Sequence, residues 1–504
     1  MKKVVIFGCV LFLLISCEKK SFDVVIRGAL VYDGSAIKGE VFDVAINADT
    51  IALMGDLSNA IGQKEVDGKG LVLAPGFIDT HSHHDRGLSE DPSGLALVSQ
   101  GITTIIVGQD GGSDLPLKKY FQMLIDSPVA VNVGSYSGHN TLRDQVLGLD
   151  FKRTSTQPEI DSMVKLLKAD LEAGAFGLST GLEYDPGIYS SKEEVLQLAK
   201  VLPRFQGRYI SHLRSEDRYF WDALQEIITI GREVKVPVQI SHFKLAMRGL
   251  WGKADSTLRL LEAARKEGVE ITADLYPYTY WSSTIRVLFP ERNFTDVKEA
   301  AFILKEVTSA EGIIFSRYGP NLNYNGKSLA EVASLEKMSP EKMLVEIIRR
   351  LDECQKKSDD CGGSIVATSM NEEDVKKLMK WPYTNICSDG TSAGRHPRGF
   401  GAFTRVLGHY VRDEKTITLQ EAIYKMTGLA ADQIGIKKRG RIKVGYYADL
   451  VLFDEMSVKD EATIQNPQLV SKGIELVWVN GKEVFAKGKV TGNLAGKVIY
   501  RHLE

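Results

Sequence analysis

Between about residue 74 and residue 430 the chain repeats one pattern: a short β-branched run, a loop, then an amphipathic helical stretch. The strand-like runs are "GFIDTHSH", "ITTIIVGQD", "VAVNVGSYSGH", "AFGLSTG", "GRYISHLRS", "VPVQISHFK", "EITADLYPY" and "TNICSDG". Helical stretches such as "PEIDSMVKLLKADLEAG", "SKEEVLQLAKVLPRF" and "YFWDALQEIITIGREV" separate them. Eight such units predict an α/β chain closed into a parallel (β/α)8 TIM-like barrel. Residues 74–430 exceed the roughly 250 residues such a barrel needs. The surplus is placed at 285–345, around "RYGPNLNYNGK", where an insertion after the seventh strand would overhang the barrel mouth as a lid.

The two ends read differently. Residues 18–73 carry "FDVVIRGALVYDG", "EVFDVAIN", "TIALMG" and "GLVLAPG", and residues 431–504 carry "GRIKVGYYADLVLFD", "ELVWVNGKEVFAKGKV" and "GKVIYR". These are strands punctuated by Gly, Asp and Asn, with Asn480-Gly481 a two-residue hairpin signal. Neither end has enough strands to bury a core, so both are expected to join in one small discontinuous β-sandwich domain.

Composition narrows the partners. A formal net charge of −2, with 43% hydrophobic and 25% charged residues and no basic block, gives no footprint for nucleic acid. Residues 1–17, "MKKVVIFGCVLFLLISC", form a lysine-led apolar run shorter than the about 20 residues a membrane span needs. They read as a signal peptide whose "LISC" resembles a bacterial lipobox, with Cys17 the lipid-carrying residue. The expected location is the cell envelope, on the periplasmic side or attached to the outer membrane, with the lipid as the only membrane contact. Of the later cysteines, Cys354, Cys361 and Cys387, none forms a CxxC pair. Pairing of Cys354 with Cys361 and two free thiols both remain open.

The histidines carry the chemistry. In "DTHSHHD" (79–85), His81 and His83 share one face of an extended strand and His84 takes the other. The first two would project inward at the C-terminal rim, where active sites of this fold gather. His84 reads as a rim or surface histidine, and Asp79, a layer deeper, as an orienting or structural hydrogen-bond partner. His212 ends the fifth strand, His242 the sixth and Asp389 the eighth. Imidazole and carboxylate at strand ends that a barrel brings into one circle suit zinc.

This arrangement resembles the amidohydrolase superfamily, and within it the N-acyl-D-amino-acid deacylases. The stretches that carry the likeness include "LAPGFIDTHSHHD", "GLSTGLEYDPGIYS", "HPRGFGAFTRVLGHYVR" and "MTGLAADQIGIKKRGRIKVGYYADLVLFD". The resemblance implies one or two zinc ions held by His81, His83, His212, His242 and Asp389. It implies hydrolysis of an N-acyl-D-amino acid to a carboxylate and a D-amino acid. Asp389 would accept a proton from water and pass it to the departing amine. In better-known relatives a cysteine after the second strand is a ligand. Here Asp110 in "VGQDGG" takes that place, so Asp110 is either a ligand or the centre holds one metal. Lys244, Arg395 and Arg398 are candidate receptors for the substrate carboxylate, with Tyr184 and Tyr276 as hydroxyl donors. His139 in "SGHNTLR" either supports substrate or orders its loop, and Glu183 and Asp185 are expected to fix a turn before Pro186. Two other readings stand beside this one. A dihydropyrimidinase- or hydantoinase-like hydrolase or a dipeptidase would need a bridging lysine that "AFGLSTG" lacks. The second is a non-catalytic lipid-anchored binding protein.

Overall fold

The computed structural model describes residues 20–358 and 361–501, so Cys17 and the first seventeen residues lie outside it. Eight short strands, labelled here β1 to β8, form the barrel. They are β1 (Phe77–Asp79), β2 (Ile102–Val107), β3 (Asn132–Ser135), β4 (Gly177–Gly181), β5 (Arg208–His212), β6 (Val238–Ile240), β7 (Ile271–Leu275) and β8 (Thr384–Ile386). β1, β2 and β3 pair in parallel, as do β4 to β8 in sequence order. The two arcs meet where Ser137–Gly138, just after β3, pairs with β4. Between β8 and β1 the amide of Asp389 donates to His81 O at 2.9 Å and that of His83 to Gly390 O at 2.9 Å. Those two bonds close the cylinder at the residues singled out for chemistry.

Helices pack outside. The helix Phe220–Val234 buries Phe220, Ala223, Leu224, Ile227, Ile228, Gly231 and Val234, a stripe at three- and four-residue spacing. Gln157–Glu172 starts at a capping box, Thr156 with Glu159, and carries proline in its first turn. The far end of the barrel is plugged by Ile78, Ile106, Tyr136, Phe176, Ile210, Ile434 and Ile499. Here the structure corrects the reading of "GKVIYR". That run makes one parallel bridge, Val498 to Val133, and buries Ile499 under the barrel instead of joining the terminal sheet. A single isoleucine fitting an apolar hole outweighs the strand-like pattern of six residues.

The two chain ends share one nine-stranded sheet. Strand Lys20–Val31 pairs with Glu40–Asn47 on one side, and with Ala60–Asp67 and then Val72–Pro75 on the other. Val72–Pro75 pairs antiparallel with Leu450–Phe453, which joins N-terminal to C-terminal sequence. Val24, Ile26, Val44, Ile46, Leu450, Leu452 and Trp478 fill its interior. The Asn480-Gly481 turn lies between the paired strands Ile474–Val479 and Lys482–Ala486, with φ of 47° and 74°. Positive φ at both positions is what a tight hairpin of this hand requires.

The excursion between β7 and β8 is wider than 285–345. It contains an antiparallel sheet of Tyr280–Thr284, Gly363–Thr368 and Ile313–Tyr318, with the helices Leu329–Leu335 and Pro340–Gln355 between its strands. Cys354 and Cys361 form a disulfide across the junction from the second helix to strand Gly363–Thr368. Among the described residues, no helix is long and apolar enough to cross a membrane.

Candidate metal centre

The six residues expected at strand ends converge over one end of the barrel. His212 is the last residue of β5, His242 follows β6, Asp110 follows β2 and Asp389 follows β8. β1 ends at Asp79, so His81 and His83 sit in the turn beyond it. Asp110, His242 and Asp389 all have left-handed backbones, with φ of 54°, 35° and 48°. Each non-glycine residue held there costs about 1 kcal/mol or more. The conformation turns the chain sharply at the rim and aims these side chains over the barrel axis.

Asp110 is the hub. Its Oδ2 lies 3.2 Å from His83 Nε2, and its Oδ1 lies 3.2 Å from His242 Nε2 and 3.4 Å from His81 Nε2. Asp389 Oδ1 stands 3.4 Å from His83 Nε2 and 3.7 Å from His81 Nε2. His212 Nδ1 is 2.9 Å from His242 Nε2. The donor atoms of His81, His83, Asp110 and Asp389 fall within 4.8 Å of one another, as do those of Asp110, His212 and His242. Two ligand groups therefore share one carboxylate.

Two observations show that this set fits a divalent cation. Both ring nitrogens of His81 are buried with no hydrogen-bond partner, an arrangement that costs free energy unless something else meets them. The field is also strongly negative. Burial works against charge on His83, yet Asp110 and Asp389 outweigh it and raise its pKa to about 9. Burial and Lys244 oppose charge on His242, but Asp110 and Glu216 carry it up to about 10. Burial opposes ionisation of Asp389, but Arg398 and the histidines hold it well below the usual carboxylate range. Imidazoles that keep protons above neutrality mark a place that calls for positive charge.

A further tier braces the first. Asp274 accepts from the His242 amide at 2.5 Å and the Gln239 side chain at 2.6 Å, and its Oδ1 lies 3.8 Å from His81 Nδ1. Asp79 accepts from the amide and hydroxyl of Ser388 at 2.8 and 2.5 Å, and burial raises its pKa to about 7. Its bonds run to Ser388 and the His81 amide and not to an imidazole, so of the two expected roles Asp79 takes the structural hydrogen bond.

Above the histidines opens a cavity of about 740 Å³, walled by both barrel loops and the insertion, including Trp281, Thr284, Leu288, Arg317 and Ser364. Arg398 places Nη1 2.6 Å from Asp389 Oδ2, and its guanidinium stacks 4.7 Å above the Tyr276 ring. The Tyr276 hydroxyl is buried and unpartnered. Tyr184 packs against His212 with ring centroids 4.4 Å apart. Arg395 is exposed on the cavity rim. Lys244 is buried, with both oxygens of Glu216 at 2.7 Å from its Nζ, so its charge is answered within the protein.

The structure departs from expectation at His84 and Glu183, and it decides between the two readings of His139. His84 is fully buried, with Nε2 bonded to Gly399 O at 3.1 Å and Nδ1 to Ser82 Oγ at 2.9 Å, and burial lowers its pKa to about 4. The closing bond from His83 to Gly390 draws the turn beneath the 390–399 loop. A Cβ at Gly390 would meet Gly399 Cα at 2.6 Å, so that loop can lie close only with glycine there. His139 does not wall the cavity. Its Nε2 is bonded to Glu194 at 2.8 Å beside buried Arg143, so it orders its helix. Glu183 does more than fix a turn: its Oε2 lies 3.0 Å from His212 Nε2. Asp185 stays on the rim, paired with Arg292 at 3.0 Å. Sequence reading also passed over Glu216, although its i,i+4 spacing from His212 in "SHLRSE" was visible.

Comparison with known proteins matches this geometry. The amidohydrolase family model covers residues 359–485. The D-aminoacylase of Alcaligenes xylosoxydans xylosoxydans is 35% identical over 96% of this chain and 99% of its own. This chain is an amidohydrolase of the N-acyl-D-amino-acid deacylase group. The N-acyl-D-glutamate deacylase of the same organism is 35% identical over 93% of this chain and 94% of its own. A D-aminoacylase structure concerned with a binuclear metal centre superposes with a TM-score of 0.85 at 34% identity, covering 95% of this deacylase-family chain and all of the other. A Bordetella bronchiseptica N-acyl-D-glutamate deacylase structure, complexed with zinc and a phosphonate mimic of the tetrahedral intermediate, gives 0.85 at 32% identity over 95% and 100%.

Proposed function

We propose that this protein hydrolyses N-acyl-D-amino acids with zinc, releasing a carboxylate and a D-amino acid. The observation that carries the reading is the convergence of His81, His83, Asp110, His212, His242 and Asp389 beside the cationic Arg398. These residues would hold one zinc ion or two, with Asp110 reaching both ligand groups. Zinc bound there supplies a Lewis acid that acidifies water and polarises the amide carbonyl. Asp389 takes the proton from the attacking water and delivers it to the departing amine. Arg398 and the free Tyr276 hydroxyl receive the substrate carboxylate, which places the scissile amide next to Asp389. The likeness to D-aminoacylase and to the D-aspartate and D-glutamate deacylases supports the D configuration.

The test is a screen of zinc-loaded protein against paired N-acyl-D- and N-acyl-L-amino acids, following released amine. Turnover confined to the D series is expected. Hydrolysis of the L series alone, or of cyclic amides alone, overturns the assignment. Asp389→Asn should lose most turnover with the fold retained, and wild-type rates in that variant would remove Asp389 from proton transfer.

The envelope location is part of the same reading. It is supported by the lysine-led apolar run ending at Cys17 and by the Cys354–Cys361 bridge, a bond that persists in oxidising compartments. Cys17→Ala should move the protein from the membrane to the soluble fraction, and an unchanged distribution would refute a lipid anchor.

A further inference from the structure

The two histidines after β5 and β6 present opposite nitrogens to the centre. His212 turns Nδ1 toward His242 and Asp110, while His242 turns Nε2 the same way. Their other nitrogens meet different partners: a carboxylate behind His212, and an ammonium with a carboxylate behind His242. Glu183 Oε2 is 3.0 Å from His212 Nε2, and Glu216 Oε1 is 3.1 Å from His242 Nδ1. Both carboxylates are buried. Neutral imidazole has one N–H and one lone pair, so whatever accepts the N–H decides which nitrogen keeps the lone pair. We propose that Glu183 is a positioning residue that selects the Nδ1-ligating tautomer of His212.

Only an acceptor behind Nε2 gives that result. Glu183 meets His212 from the loop after β4 and anchors its own backbone through Arg292, whose Nη2 donates to Glu183 O at 2.7 Å. Glu216 also binds Lys244 through both oxygens. Lys244 Nζ lies 2.6 Å from His242 Nδ1. An ammonium only donates, and it lies closer to that nitrogen than Glu216 does, so a carboxylate acceptor alone backs His212 and not His242. Glu216 therefore holds the lysine. A carboxylate behind a metal-binding histidine also raises its basicity, and losing such a partner weakens metal binding about 10–100-fold.

The proposal rests on the zinc reading, and the experiment separates the two. Zinc dissociation constants are measured by chelator competition on metal-stripped full-length wild type, Glu183→Gln, Glu183→Leu and Glu183→Ala. Melting of the metal-free proteins and visible spectra of their cobalt(II) forms are recorded alongside. Glu183→Leu is expected to bind zinc about 10–100-fold more weakly, with altered cobalt bands and unchanged metal-free melting. Glu183→Gln, whose carbonyl still accepts from Nε2–H, is expected to stay within a few-fold of wild type. Wild type that binds no zinc overturns the metal reading itself. Equal affinity in wild type and Glu183→Leu, equal loss in the Gln and Leu variants, or a loss matched by lower metal-free melting overturns the positioning role. Should Glu183→Leu fail to fold, Glu183→Ala decides: weaker zinc binding with altered cobalt bands sustains the role, and wild-type values overturn it.

Discussion

Asp110 is where single-residue chemistry departs furthest from ordinary core design. Its two oxygens face different histidines, and its backbone sits at φ 54°. Its carboxylate would offer zinc a harder ligand than a thiolate. Asp110→Ala removes the one group common to both ligand sets, so the protein should retain less zinc per chain by elemental analysis; undiminished stoichiometry would place the metal elsewhere. The histidines were legible because strand-end position and residue type both survive in sequence. Glu183 was not, because its reach to His212 depends on how the loop after β4 folds back. His84 was misplaced, and His139 left between two roles, for a related reason: burial of a polar ring is decided by a partner hundreds or tens of residues away, Gly399 and Glu194.

At the scale of elements, all eight barrel strands fall inside the runs chosen from pattern, since buried parallel strands leave continuous β-branched sequence. The insertion was underestimated because its three strands are short and interrupted by helices. Its disulfide spans only from Cys354 to Cys361. On the chain-entropy account a loop of that size contributes about 2 kcal/mol. Cys354→Ser with Cys361→Ser should lower thermal stability by that order, and an unchanged melting temperature would show that the bridge is dispensable. Lys425, on helix Leu419–Met426, donates to Trp381 O and Thr384 O at the foot of β8. Burial lowers its pKa to about 8. Between pH 8 and about 10.4 the folded state gives up this proton while the unfolded chain keeps it, so the contribution to stability rises with pH there. Denaturant melts of wild type and Lys425→Met should therefore diverge in slope across that window and run parallel below it.

The whole molecule is joined by a buried polar knot. Asp449, just before strand Leu450–Phe453, accepts from Arg439, from the Asn132 side chain of β3 at 3.1 Å and from the Asn480 amide at 2.7 Å. Asn480 returns a bond to Asn132 at 2.8 Å. Barrel and terminal sheet thus share one carboxylate, and the hairpin turn read from Asn480-Gly481 is also its clamp. The pattern alone showed the turn but not the clamp, because Asn132 and Asn480 are far apart in sequence. Arg439 is 2% exposed and Asp449 4%, so solvent cannot take over from a lost partner. Removing one member of such a pair strands the other charge, at a cost of about 3–5 kcal/mol. Arg439→Met should therefore destabilise far more than the loss of its packing, whereas adding Asp449→Asn should recover a large part by removing the stranded charge. Denaturant titration of the single and double variants distinguishes the cases. A double variant no more stable than Arg439→Met would mean that the arginine acts through its stacking on Tyr447, 4.0 Å away, and not through the charge it neutralises.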